Sequence, residues 1–168
     1  MSQKQEEDWR GVLARYVSIP RELDDALAGL SEAHLDLTRG PETWTIREIV
    51  HHIVDADALT KNMVMAALGN SGCTFELDWY DPTNTWARTL DYSHRPVESA
   101  LQLLRANHAY LGELLEHLPD GHRRCVRSER FQRRGTQSLT VAELIDIQTR
   151  HATHHIGQIV STRKQHKL

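Results

Sequence analysis

Cysteine is nearly missing from this chain: Cys73 and Cys125 are its only two, with no CxxC spacing. Neither a disulfide framework nor a thiolate metal knuckle is available, and both are expected as reduced thiols. Helix and strand breakers are scarce as well, with 5 Pro and 9 Gly in 168 residues, so an ordinary globular chain is expected with disorder confined to its ends. Charge of one sign is not in excess. The 20 basic and 23 acidic residues leave a net charge of -3, too balanced to attract a polyanion, and nucleic acid is not an expected partner. No apolar run approaches the length of a membrane span, and the opening stretch MSQKQEEDW lacks the basic start and apolar core of a signal peptide. A cytoplasmic protein without a membrane partner is therefore expected. No repeat or low-complexity linker divides the chain, so residues 1–168 are read as a single domain.

What the chain has is helical periodicity and 11 His. Four amphipathic segments stand out. The first, about Glu6 to Leu30, carries Trp9, Leu13, Tyr16, Leu23 and Leu27 in phase, with Pro20 expected to divide or kink it. A second opens on Thr45-Ile46-Arg47-Glu48, a reciprocal cap, and runs to about Leu68, with Gly69 as its expected cap. The third lies between Pro96 and Leu118, and the fourth starts at a second box, Thr140-Val141-Ala142-Glu143. An all-α fold built as a four-helix bundle follows. Residues 70–95 form an aromatic-rich crossover between the second and third helices, and residues 120–138 an Arg-rich connection with room for a hairpin near Gly135. A crossover that long argues against a plain up-down-up-down ring.

The histidines sort by direction. His151 and His155, four apart, share one helix face with Leu144, Ile147 and Ile159, which turns the pair inward. His52 lies on the stripe of Ile49, Ala56 and Leu59, whereas His51 and His154 are turned away and read as rim or surface residues. Buried imidazoles need partners, and three of them from two helices suit one divalent ion with a coordination position left open. Asp55 follows His52 by three, a spacing that serves equally for orienting that imidazole, for approaching the ion, or for a solvated helix acid. The chain lacks HExxH, since Ala152 stands where a protease glutamate would be.

The runs WTIREIVHHIVDAD from Trp44 to Asp57 and RHATHHIGQI from Arg150 to Ile159 resemble the DinB/YfiT-like superfamily of metal-dependent enzymes, closest to its YfiT-type hydrolase branch. IPRELDDALAGLS from Ile19 and WYDPTNTWA from Trp79 extend the resemblance over nearly the whole chain. It implies an up-down-down-up bundle, with His52, His151 and His155 matching the family's three ligands. Zinc or nickel is the implied ion, some members use a low-molecular-weight thiol, and many form homodimers.

The expected function is metal-assisted chemistry on a small molecule, by metal-bound water in a hydrolase or by a metal-bound low-molecular-weight thiol in an S-transferase. The alternative is a non-catalytic binding or stress-response module whose metal ties two helices together. A chain of this size buries enough core to fold without a metal staple, so a functional ion is favoured. Because the ligands must be neutral, occupancy is expected to fall below about pH 6. Trp79, Tyr80 and Trp86 are candidates for a pocket wall or for packing the crossover. The arginines 123, 124, 127, 130, 133 and 134 read either as an anion site or as a solvated surface.

Overall fold

Two threonines set where the central helices begin. Thr45 accepts the backbone N–H of Glu48 while the Glu48 carboxylate accepts the N–H of Thr45, and Thr140 with Glu143 repeats the arrangement. Each pair satisfies amides that a helix start leaves without partners. The chain is represented by a computed structural model that describes residues 3–80, 84–129 and 136–168. From the two caps run α2 (Ile46–Gly69) and α5 (Val141–His166), and with α1 (Gln3–Leu27) and α4 (Glu98–His117) they form a four-helix bundle. A short α3 (Asn84–Thr89) lies within the crossover.

Two local expectations do not hold. α1 continues through Pro20 rather than dividing there. The ring costs about 3 kcal/mol inside a helix, but Tyr16, Ile19 and Leu23 are fully buried on either side of it, and each large apolar side chain returns about 1.5–3 kcal/mol. Gly69 is the last residue of α2, and the cap falls on Asn70, whose N–H donates to Ala66 O at 2.9 Å.

The winding follows from which residues meet. Arg15 pairs with Asp146 at 3.8 Å and Arg163 donates to Ala26 O at 2.7 Å, so α1 and α5 run parallel. Tyr16 stacks on His108 and Arg105 pairs with Asp24, so α1 and α4 are antiparallel. His52 faces His151 while Thr60 donates to Gln148, which makes α2 and α5 antiparallel. Asn107 donates to Asp57, and Leu68 at the far end of α2 packs by Gly121 just beyond α4, so these two are parallel. The bundle is therefore up-down-down-up, and parallel neighbours α2 and α4 require the long crossover between them.

The connections add structure that an all-α reading omits. β1 (Thr74–Glu76) pairs in parallel with β2 (Cys125–Glu129), and β2 pairs antiparallel with β3 (Thr136–Thr140). The β2–β3 pair is the hairpin expected near Gly135, a residue outside the described ones. β1 was not expected: three residues carry little strand signal, and its partner lies some fifty positions away. The crossover is pinned to α2 at Asp55, whose carboxylate accepts from Trp86 Nε1 at 3.3 Å and from the Tyr92 hydroxyl. No helix among the described residues is long and apolar enough to cross a membrane.

The apolar core forms two blocks, one around Val64, Leu111 and Ile145 and one around Ile53, Leu104 and Ile159. Between them in sequence, each bundle helix places polar groups. Asp57, fully buried, accepts from Tyr16 Oη and Asn107 Nδ2, each at 3.1 Å. His108 Nδ1 donates to Tyr16 O at 2.7 Å, and its Nε2 stands 3.0 Å from Asp57 Oδ1 without hydrogen-bond alignment. Burial, reinforced by the Asp57 carboxylate, pushes the Tyr16 phenol far above its usual range, so it remains a donor. Removing the shared acceptor strands two buried donors at once and takes away the carboxylate that faces His108. Asp57→Ala is expected to lower unfolding stability by about 3–5 kcal/mol in urea denaturation, leaving the metal content of the folded fraction unchanged.

Candidate metal centre

The cap at Thr45 fixes the phase of α2 so that Ile49 and Ile53 are fully buried and His52 turns toward α5. On α5 the four-residue step stacks His151 and His155 against it. The three rings stand mutually edge-on, with centroids 4.6 to 4.9 Å apart and planes crossed by 66 to 75°. His52 Nε2 lies 3.0 Å from His151 Nε2, and one nitrogen from each of the three residues falls within 4.8 Å of the others. Two imidazoles on a tetrahedral ion, with metal–nitrogen bonds of about 2.0–2.1 Å, hold their nitrogens roughly 3.3 Å apart. The donor set and its spacing thus fit a divalent metal ion.

Neighbouring groups hold the rings in place. Trp44, immediately before the α2 cap, lies 4.4 Å from the His52 ring and stacks on His155 at 6.0 Å with planes 22° apart. Gln158 bridges two histidines: its Oε1 faces His155 Nδ1 at 3.1 Å and its Nε2 faces His154 Nε2 at 2.9 Å. A proton on His155 Nδ1 satisfies that oxygen and leaves Nε2 with its lone pair free for an ion. Gln158 reads from sequence as a mere polar neighbour; its i+3 step from His155 was the available signal.

Electrostatics favour the neutral form of His52 and His155. Burial, then the proximity of His151 and His155, pushes His52 down to about 3 from 6.5. Burial also lowers His155, with the Gln158 hydrogen bond opposing it. Neutral lone pairs are what a metal ion requires.

Other expectations change. His51, read as a rim residue, is 1 % exposed, with Nε2 3.2 Å from Arg95 O and its ring 5.4 Å from Tyr92. The packing of the crossover's end onto α2 covers it. Burial lowers its pKa too. His154 is exposed, as expected. Asp55 is engaged by Trp86 and Tyr92, and these bonds tie it to the crossover rather than to His52. Among the arginines, Arg123 pairs with Asp120 and Arg124 donates to Leu68 O, while 130, 133 and 134 lie outside the described residues. Cys73 and Cys125 are free thiols.

A cavity of about 310 Å³ adjoins the histidines and includes His52 and His151 in its wall. Leu59, Met63, Leu77 and Leu144 make it apolar, and Tyr80 is the crossover aromatic that lines it. Trp79 is 57 % exposed and packs on Tyr80 and Trp86 instead. Ile147, expected to face inward, lines the cavity while staying 36 % exposed.

The depressed His52 pKa has a thermodynamic sign. Above about pH 6.5 this imidazole is neutral in both folded and unfolded chains; below it the unfolded chain takes up a proton that buried His52 refuses down to about pH 3. Metal-free protein should therefore lose stability as pH falls through that window. His52→Leu should make the decline shallower, with His51 and His155 retaining part of it, in urea midpoints taken between pH 7 and 4.

Known proteins resemble this chain in sequence and in fold. A protein of Geobacillus thermodenitrificans named "Putative metal-dependent hydrolase" is 29 % identical over 162 residues, covering 95 % of this chain and 86 % of its own. One from Geobacillus kaustophilus with the same description is 29 % identical over 154 residues, covering 91 % and 83 %. In structure the chain is similar to YfiT from Bacillus subtilis, described as "a probable metal-dependent hydrolase with an unusual four-helix bundle topology", with a TM-score of 0.82, 20 % identity, and coverage of 99 % of this chain and 90 % of that one. The family model of the DinB superfamily matches residues 15–159, and the chain belongs to that superfamily.

Proposed function

We propose that this chain is a metal-dependent hydrolase of a small molecule, with His52, His151 and His155 as the ligands of one divalent ion. The observation that carries the reading is the convergence of three imidazoles, His52 driven strongly toward its neutral form, beside a cavity large enough for a small ligand. The relatives named as metal-dependent hydrolases support it. Three neutral imidazoles would leave the charge of such an ion uncompensated, and zinc or nickel held by His52, His151 and His155 would supply Lewis-acid activation of water.

The chain's own residues do the rest. Trp44 and Gln158 orient the imidazoles, and the apolar wall formed by Leu59 and Leu144 excludes bulk water from the substrate's side of the site. Asp55, through Trp86 and Tyr92, fixes the crossover that brings Tyr80 to the cavity.

Elemental analysis of protein purified without a histidine tag, followed by panels of hydrolase and thiol-transfer substrates, tests the reading. His52→Ala, His151→Ala and His155→Ala should each cut metal content at least tenfold, whereas His154→Ala should leave it unchanged. Gln158→Leu is expected to weaken metal affinity about tenfold without abolishing binding. Full occupancy in His151→Ala would overturn the ligand assignment, and turnover only with an added thiol would replace hydrolysis with S-transfer.

A further inference from the structure

The wall of the cavity contains two polar groups that have no hydrogen-bond partner among the described residues. Gln148 is 4 % exposed; its Oε1 takes the Thr60 hydroxyl at 3.5 Å, while its Nε2 has no hydrogen-bond partner among the described residues. Ser128, on β2, is 1 % exposed and its Oγ is likewise unpartnered. Both line the same cavity as His52 and His151. A buried donor without an acceptor is destabilising, and a ligand atom in the cavity would remove that cost.

The rest of the wall is selective in a different way. Among the described residues that line it there is no Asp, Glu, Lys or Arg. A charged group entering this space would be desolvated with nothing to pair it except an ion at the histidines. Apolar cavities of about 150 Å³ already admit benzene in other proteins, so about 310 Å³ accommodates a small aryl or short alkyl group with a polar attachment.

We propose, on the basis of the hydrolase reading above, that this cavity binds the uncharged apolar end of the substrate and reads one hydrogen-bond acceptor on it through Gln148 Nε2, with Ser128 in the same wall. The substrate class is then a neutral carbonyl compound such as a small aryl or short-chain alkyl ester or amide. A charged group on the end that enters the cavity is disfavoured by the same wall. Gln148 acts here as a specificity residue: its donor meets the carbonyl acceptor, while Leu59, Met63 and Leu144 take the attached aryl or alkyl group.

Binding rather than turnover provides the test. Acetophenone, ethylbenzene and 4-acetylbenzoate share an aryl core; the second lacks the acceptor, and the third adds a charge. Affinities are measured by calorimetry or by chemical-shift titration on protein as purified and after chelation. Acetophenone should bind the wild type, and 4-acetylbenzoate at least tenfold more weakly to the chelated protein. The acetophenone-to-ethylbenzene affinity ratio should fall about fivefold in Gln148→Met, which keeps the side chain's length and removes its donor. Ala56→Leu, which fills the cavity between His52 and Leu59, should abolish binding of both neutral probes while metal content is retained. If neither neutral probe binds, or if the ratio is the same in Gln148→Met, the inference is overturned even when the histidines hold metal. If the ratio shifts as expected in a protein that holds no metal, the cavity assignment stands and the hydrolase reading falls by itself.

Discussion

Because an α-helix turns about 100° per residue, the whole site depends on where two helices start. A start displaced by one position would aim His51 at α5 in place of His52. The reciprocal bonds of Thr45 with Glu48 and of Thr140 with Glu143 make the starts unambiguous, and the buried faces downstream agree with them. Cap and core thus specify the same rotation, and the imidazoles arrive at one point without a strained backbone among the residues that bear them.

The second ordering element is the polar layer that separates the two apolar blocks. Hydrophobic packing is tolerant of sliding, since one aliphatic contact replaces another at little cost. A buried carboxylate that needs a phenol, an amide and an imidazole at fixed places is not. Asp57 meets groups from α1 and α4 at one level of the bundle, and Gln148 places α5 at a comparable level through Thr60. Axial register is thereby set close to the histidines, where an error of one turn would separate His52 from its partners.

Much of this was legible in the sequence because it is local and periodic. The helices, both capping boxes and the inward phase of His52, His151 and His155 follow from spacing within about ten residues. What was not legible depends on distant partners. The burial of His51 comes from Arg95 and Tyr92, the engagement of Asp55 from Trp86 and Tyr92, and β1 from a strand beyond α4. The continuity of α1 through Pro20 shows the same limit from the other side: a local penalty is outweighed by tertiary burial that no window along α1 contains.

The parallel pairing of α2 with α4 has a consequence for how such a protein can diversify. Since the crossover must travel the length of the bundle in any case, it forms a separate piece of wall, meeting α2 at Asp55 and the cavity at Tyr80. All three histidines belong to the other component, α2 and α5. Substitutions and length changes in the crossover can therefore reshape the Leu77 and Tyr80 side of the cavity without disturbing the histidines, whereas the part of the wall around Gln148 shares α5 with two of them.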